Sequence, residues 1–275
     1  MEFSNNQPQA NNLPLAQVNQ LLSQRFDFIL ASASPRRREL LTHLGLSFRV
    51  VLPESGTQVD ETPRPGETPG QLVQRLSRAK ARAVAASLPL PHQPDGSAAP
   101  PVIIAADTVV VLAGQILGKP ASPAEAVQML KTLRDQRSHD VYSGVTIGVV
   151  GGQAAPVTGS TKFAANTAGP ASANPGLKLI TRLHRSQVWM RAYTDSEIEA
   201  YVASGDPLDK AGAYAIQHQL FAPVARLDGC FASVMGLPLG ELAIALSQVG
   251  VYLSHIGPLC RAYSGWPCCQ QRPVD

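Results

Sequence analysis

VIIAADTVVVL (residues 102–112) decides the fold. Nearly every position is apolar and most are β-branched, the composition of a strand covered on both faces. One residue breaks the run. Asp107 is a poor strand former, and a carboxylate buried there without a partner is too costly to be incidental. It must bind a cation, pair with a lysine or act as a base, with a structural ion pair as the plainest alternative.

Outward from this strand the chain alternates strands and helices, which predicts an α/β fold. FDFILAS (26–32) reads as a buried strand. Ser34 and Pro35 then open a helix, Leu40, Leu41 and Leu44 give it an apolar stripe, and Gly45 ends it. SFRVVLP (47–53) is a second strand. Thr68, Pro69 and Gln71 form a capping box for a helix running to about Ser87. Ser122, Pro123 and Glu125 open a third helix, HDVYSGVTIGVV (139–150) is a strand, and SQVWMRAYT (186–194) is another. Thr194 and Glu197 cap a helix ending near Ser204. Residues 205–217 read as a loop and strand, and Pro238 starts the last helix.

The 275 residues divide into a flexible Asn/Gln-rich N-terminal extension (1–25), one domain (26–250) and a patternless C-terminal tail (251–275). Two stretches inside the domain look inserted: the Pro-rich loop 89–101, and 151–185, an insertion or long hairpin. Net charge is +3 and aromatics are 5%, so neither a basic footprint nor stacking platforms argue for nucleic-acid binding. The first residues carry no basic n-region or apolar h-region, and no apolar run reaches membrane-spanning length. Cys230, Cys260, Cys268 and Cys269 form no CxxC pair, which fits a reducing cytoplasm. GxSxG, HExxH and GxxxxGK[ST] are absent, which leaves serine hydrolases, zinc proteases and Walker-type ATPases unsupported.

Arg36, Arg37 and Arg38 fall in the first turn of the first helix. A helix N-terminus already carries unpaired N–H groups and partial positive charge. Three arginines there call for an anion, and strand, small-residue turn and arginines together suit a phosphate; a solvated surface run is the bland alternative. Lys80 lies four residues from both Leu76 and Val84, on the apolar face of its helix. It needs a partner or an anion unless it snorkels outward. Arg75, Arg78 and Arg82 fall nearer the outer face and read as solvated charges. Glu61, with Asp60 beside it, offers oxygen ligands for Mg²⁺ or simply belongs to an acidic loop. Lys119 follows a turn at Ala113–Gly114 that would return it to the Asp107 end of the strand.

Seven stretches in order, LASASPRRRELL, VDETP, RLSRAKA, AADTVVV, ILGKP, SGDPLDKAGAYAIQ and VMGLPL, resemble the Maf family of nucleoside triphosphate pyrophosphatases. The resemblance spans roughly residues 26 to 249. It implies an inosine-triphosphatase-like fold: a mixed, curved central sheet with flanking helices and two lobes around a cleft. It implies cleavage between the α- and β-phosphorus atoms, with a divalent metal cation, Mg²⁺ or Mn²⁺, as cofactor. It places the catalytic acid on Asp107, phosphate-binding positions on Ser32, Arg36, Arg37, Lys80 and Lys119, and the metal on Glu61 and Asp107. Arg36, Thr108 and Gln217 match the base-specificity set of the dTTP/UTP branch, not that of the 7-methyl-GTP branch. A homodimer is also implied. The chain departs from the pattern at His218, where the family usually has glycine, in its two long insertions, and in the tail. A nucleotide-binding cell-division regulator, acting without catalysis, is the reading of a different class.

Overall fold

The computed structural model describes residues 22–53, 59–88, 100–150 and 176–267. Most of the N-terminal extension, most of the 89–101 loop and the larger part of 151–185 lie outside them.

Among the described residues, seven strands form one mixed sheet: β1 (Asp27–Leu30), β2 (Phe48–Val50), β3 (Pro101–Leu112), β4 (Gln115–Leu117), β5 (Ser138–Val150), β6 (Leu177–Met190) and β7 (Val224–Asp228). The order is β2-β1-β3-β5-β6-β7, with β4 also paired to β3. β1 runs parallel to β2 and β3, and the β3–β5–β6–β7 ladder is antiparallel. The helices are α1 (Pro35–His43), α2 (Pro69–Ser87), α3 (Pro123–Gln136), α4 (Asp195–Ala203), α5 (Phe231–Met235), α6 (Leu239–Ser247) and α7 (Ile256–Ser264).

β3 lies inside the sheet, and its alternation sorts its side chains between two cores. Val102, Ile104, Ala106, Val110 and Leu112 join the main core, on the face carrying α1 and α3. Ile103, Ala105, Val109 and Val111 face α2 on the other side. Asp107 therefore points to the α2 face and Thr108 to the main-core face.

The capping boxes at Thr68/Gln71 and Thr194/Glu197 form as the sequence predicts. Ser34 holds the N-cap position of α1, but its side chain makes no cap; the Ser32 hydroxyl instead accepts from Ser34 N–H at 3.2 Å. Of the loop and strand expected over residues 205–217, the strand does not form: the stretch holds two 3₁₀ turns, Asp206–Asp209 and Ala211–Ala213. The short D-x-x-D-K segment spends its polar groups locally, with Lys210 Nζ bonded to Asp206 and Asp209. β6 begins at Leu177, nine residues before the predicted strand, because its partner β5 reaches Val150 and supplies the pairing. In the tail, α7 buries Ile256 and Leu259 on the main core, and His43 Nε2 lies 3.0 Å from the Leu259 carbonyl. No described helix is long and apolar enough to cross a membrane.

Gly144, opposite Asp107 in the β3–β5 register, sets how close α2 comes. A Cβ there would lie 2.6 Å from the Val73 carbonyl oxygen, so the α2 backbone rests directly on β5. That contact brings the middle of α2, at Lys80, down to Asp107.

Candidate active site

A cleft of about 440 Å³ opens where the C-terminal half of β3 meets the N-terminus of α1, the 3₁₀ segment and the end of α5. Ser32, Arg36, Arg37, Glu61, Lys80, Asp107, Thr108, Lys119 and Gln217 all line it. These nine residues thus converge on one cavity, whereas Arg38 and Asp60 do not line it.

Its acidic centre is Asp107, 7% exposed. Lys80 Nζ stands 2.6 Å from Asp107 Oδ1 and 2.7 Å from Glu61 Oε1. Desolvation pushes the Asp107 carboxyl above its ordinary value, against the opposing pull of Lys80 and Arg37. A carboxylate with a raised pKa beside a fixed cation is a stronger proton acceptor than an ordinary aspartate.

The basic wall comes from α1. Arg37 donates from Nε to the Gly236 carbonyl at 2.8 Å and from Nη1 to Ser32 Oγ at 3.0 Å, which fixes the guanidinium beside the cleft. Burial lowers its pKa while Asp107 opposes the shift. Arg36 reaches Asp209 Oδ2 at 3.4 Å, a long contact that an incoming anion can displace. Arg38 is exposed, as a solvated charge would be. Lys119 is delivered by the β3–β4 hairpin, whose turn at Ala113–Gly114 has positive φ at both residues.

The sequence reading missed Arg75. It is no solvated charge: it grips Glu67 with Nε at 2.7 Å and Nη2 at 2.9 Å, and donates to the carbonyls of Asp60 at 3.0 Å and Thr62 at 2.9 Å. These two carbonyls flank Glu61, so α2 supplies both the clasp on this loop and Lys80, the partner of its acid. The hydrogen bonds from Arg75 pull the Glu67 carboxyl down to about 2. Arg78 is also engaged, donating to Thr181 Oγ1 at 2.8 Å. A polar face whose spacing looked solvated was covered by a loop and a strand, contacts that helical periodicity does not encode. Asp60 turns away from the cleft, its Oδ1 accepting from Thr62 N–H at 3.0 Å.

Glu61 and Asp107 meet at one ammonium, so their oxygens converge on one side of the cleft. One or two carboxylates are what Mg²⁺ commonly takes from a protein, with waters and phosphates completing the shell, so this donor set fits such a cation. No cluster of three or more His, Cys, Asp or Glu residues suited to a metal occurs among the described residues.

The motifs that build this cleft belong to one matched block: a family model described as Maf-like protein covers residues 27–249. The chain belongs to the Maf family. Maf relatives include a dTTP/UTP pyrophosphatase of Pelotomaculum thermopropionicum, 38% identical over 224 residues, covering 82% of this chain and 97% of that protein. Another, of Cupriavidus metallidurans, is 40% identical over 225 residues and bears the same name, covering 81% of this chain and 96% of that one. Among solved structures, the Staphylococcus aureus Ham1 protein overlays 70% of this chain and 88% of its own, at 15% identity and a TM-score of 0.34. In this Maf chain His218 does not line the cleft. Its Nδ1 accepts from Phe221 N–H at 3.0 Å, and its ring meets the edge of Tyr201 at 4.7 Å.

Proposed function

We propose that this Maf protein hydrolyses nucleoside triphosphates to the monophosphate and pyrophosphate, with UTP and dTTP preferred. The observation that carries the reading is the Asp107–Lys80–Glu61 cluster beside Arg36, Arg37 and Lys119 in one cleft. The dTTP/UTP pyrophosphatase relatives support the reaction and the base.

Arg36, Arg37 and Lys119 bind the triphosphate oxygens, together with the free N–H groups of the first turn of α1. Asp107 takes the proton of a water that attacks the α-phosphorus. The bond from that phosphorus to the bridging oxygen breaks, and pyrophosphate leaves with its electrons. Fixed cations around the phosphates stabilise the charge that develops, the main catalytic demand of this chemistry. Glu61 and Asp107 would hold a divalent cation, which when bound neutralises phosphate charge.

Pyrophosphate release measured over a panel of UTP, dTTP, CTP, ATP, GTP and 7-methyl-GTP, with and without EDTA, tests this reading. UTP and dTTP should lead, and EDTA should abolish turnover. Binding without hydrolysis of any nucleotide would make the protein a nucleotide-responsive regulator instead.

A further inference from the structure

Thr108 enters the cleft one residue beyond Asp107, and its hydroxyl has a neighbour behind it. Thr108 Oγ1 lies 2.7 Å from Ser143 Oγ, its cross-strand partner on β5. Ser143 is fully buried, and its hydroxyl donates to the Ser233 carbonyl of α5 at 2.7 Å. A carbonyl can only accept, and a serine hydroxyl has one proton. With that proton spent on Ser233, the proton between the two hydroxyls must come from Thr108. Thr108 then shows the cleft lone pairs alone.

Reversing the chain would turn the Ser143 proton toward Thr108 and give up a buried bond to Ser233, whose carbonyl would keep only Gly236 N–H at 2.9 Å. Losing one such bond disfavours the reversed arrangement by roughly 5-fold. The same helix end, through the Gly236 carbonyl, orients Arg37. Gly236 has φ 115°, a conformation open to glycine and strained for other residues.

We propose that Ser143 is a positioning residue that makes Thr108 an obligate hydrogen-bond acceptor in the cleft, so that the ligand group opposite it must be a hydrogen-bond donor. The inference rests on the nucleotide reading above and deepens it. Uracil and thymine carry a ring N3–H; cytosine presents a lone pair at the same atom. With N3 placed opposite Thr108, the chain Ser233–Ser143–Thr108 selects the imide edge without Ser143 touching the base.

The test is calorimetric binding of the non-hydrolysable α,β-imido analogues of dUTP and dCTP to wild type, Ser143→Ala, Thr108→Val and the double variant, with thermal unfolding as the control for folding. Wild type should favour the uracil analogue. Ser143→Ala should shrink that ratio by roughly 5-fold, and the double variant should lose no more than Thr108→Val alone. A folded Ser143→Ala that keeps the wild-type ratio overturns the proposal. Should Ser143→Ala not fold, Thr108→Val decides: an unchanged ratio overturns the proposal and a reduced one supports it. Equal binding of both analogues by wild type overturns it too, while leaving the pyrophosphatase reading in place. Failure to bind either analogue removes both.

Discussion

Lys80 Nζ stands 2.6 Å from Asp107 Oδ1, and Glu61 shares the same ammonium at 2.7 Å. One cation thus separates two carboxylates that would otherwise repel across the cleft. Removing it as Lys80→Met leaves Asp107 desolvated with a like charge beside it, and both effects favour its protonated form. The acid limb of the kcat/KM profile should move to higher pH, with turnover at neutral pH falling ~10-fold or more for lost charge stabilisation. A pH–rate series with an unmoved acid limb would separate Lys80 from the ionisation of Asp107.

Asp107→Asn should lose at least ~100-fold in kcat, the scale of a missing general base. Its effect on stability should run the other way. The folded pKa of Asp107 is raised, so the folded state holds its proton more tightly than the unfolded chain. Its contribution to stability is therefore greatest at acid pH and is lost as pH rises from the ordinary aspartate value through the raised one. At neutral pH the Asn variant should melt no lower than wild type, whereas a large drop in melting temperature would mean the Asp107–Lys80 pair is chiefly structural.

Arg75→Ala should release the loop around Glu61 while leaving the sheet intact. Small displacements of a positioning group are expensive in rate, so kcat/KM should fall ~10-fold or more. Amide exchange should rise over residues 59–67. Arg75→Lys should not restore either measurement, because an ammonium cannot hold the Glu67 carboxylate bidentately and reach two carbonyls as well. Rescue by lysine would show that charge alone matters there.

Gly144→Ala would place its Cβ 2.6 Å from the Val73 carbonyl, a backbone atom that cannot step aside cheaply. The overpacking should cost about 1–3 kcal/mol and draw Lys80 away from Asp107. Thermal unfolding together with kcat reads both, and wild-type stability would mean α2 can lift without loss.

Gln217 Oε1 is buried and has no protein partner among the described residues, and the side chain lines the cleft. An unpaired buried acceptor on a side chain that lines the cleft suits a donor entering it, and would share the N3–H of uracil or thymine with Thr108 Oγ1. Gln217→Ala should flatten the difference in kcat/KM between UTP and CTP by ~10-fold; an unchanged ratio would take the base away from Gln217.

What the sequence determined by itself is local. The β-branched run around Asp107, the Ser-Pro and Thr-Pro helix starts and the Ala113–Gly114 turn are written in neighbouring residues, because strand preference, capping and tight turns are short-range physics. Lys80 was legible too, since an ammonium on an apolar helical face demands a partner. Which partner was not legible: that required β5 to leave a gap at Gly144 deep enough for the α2 backbone. Arg75, Ser143 and α7 stayed hidden for the same reason. Arg75 looked solvated until the loop preceding α2 folded back onto it, and the Ser143 proton is directed by a carbonyl on α5, ninety residues away in sequence. The tail shows no pattern until its Ile256 and Leu259 find the main core. Short-range preferences select the elements, but the pairing of buried polar groups depends on which surfaces meet, and only the tertiary structure decides that.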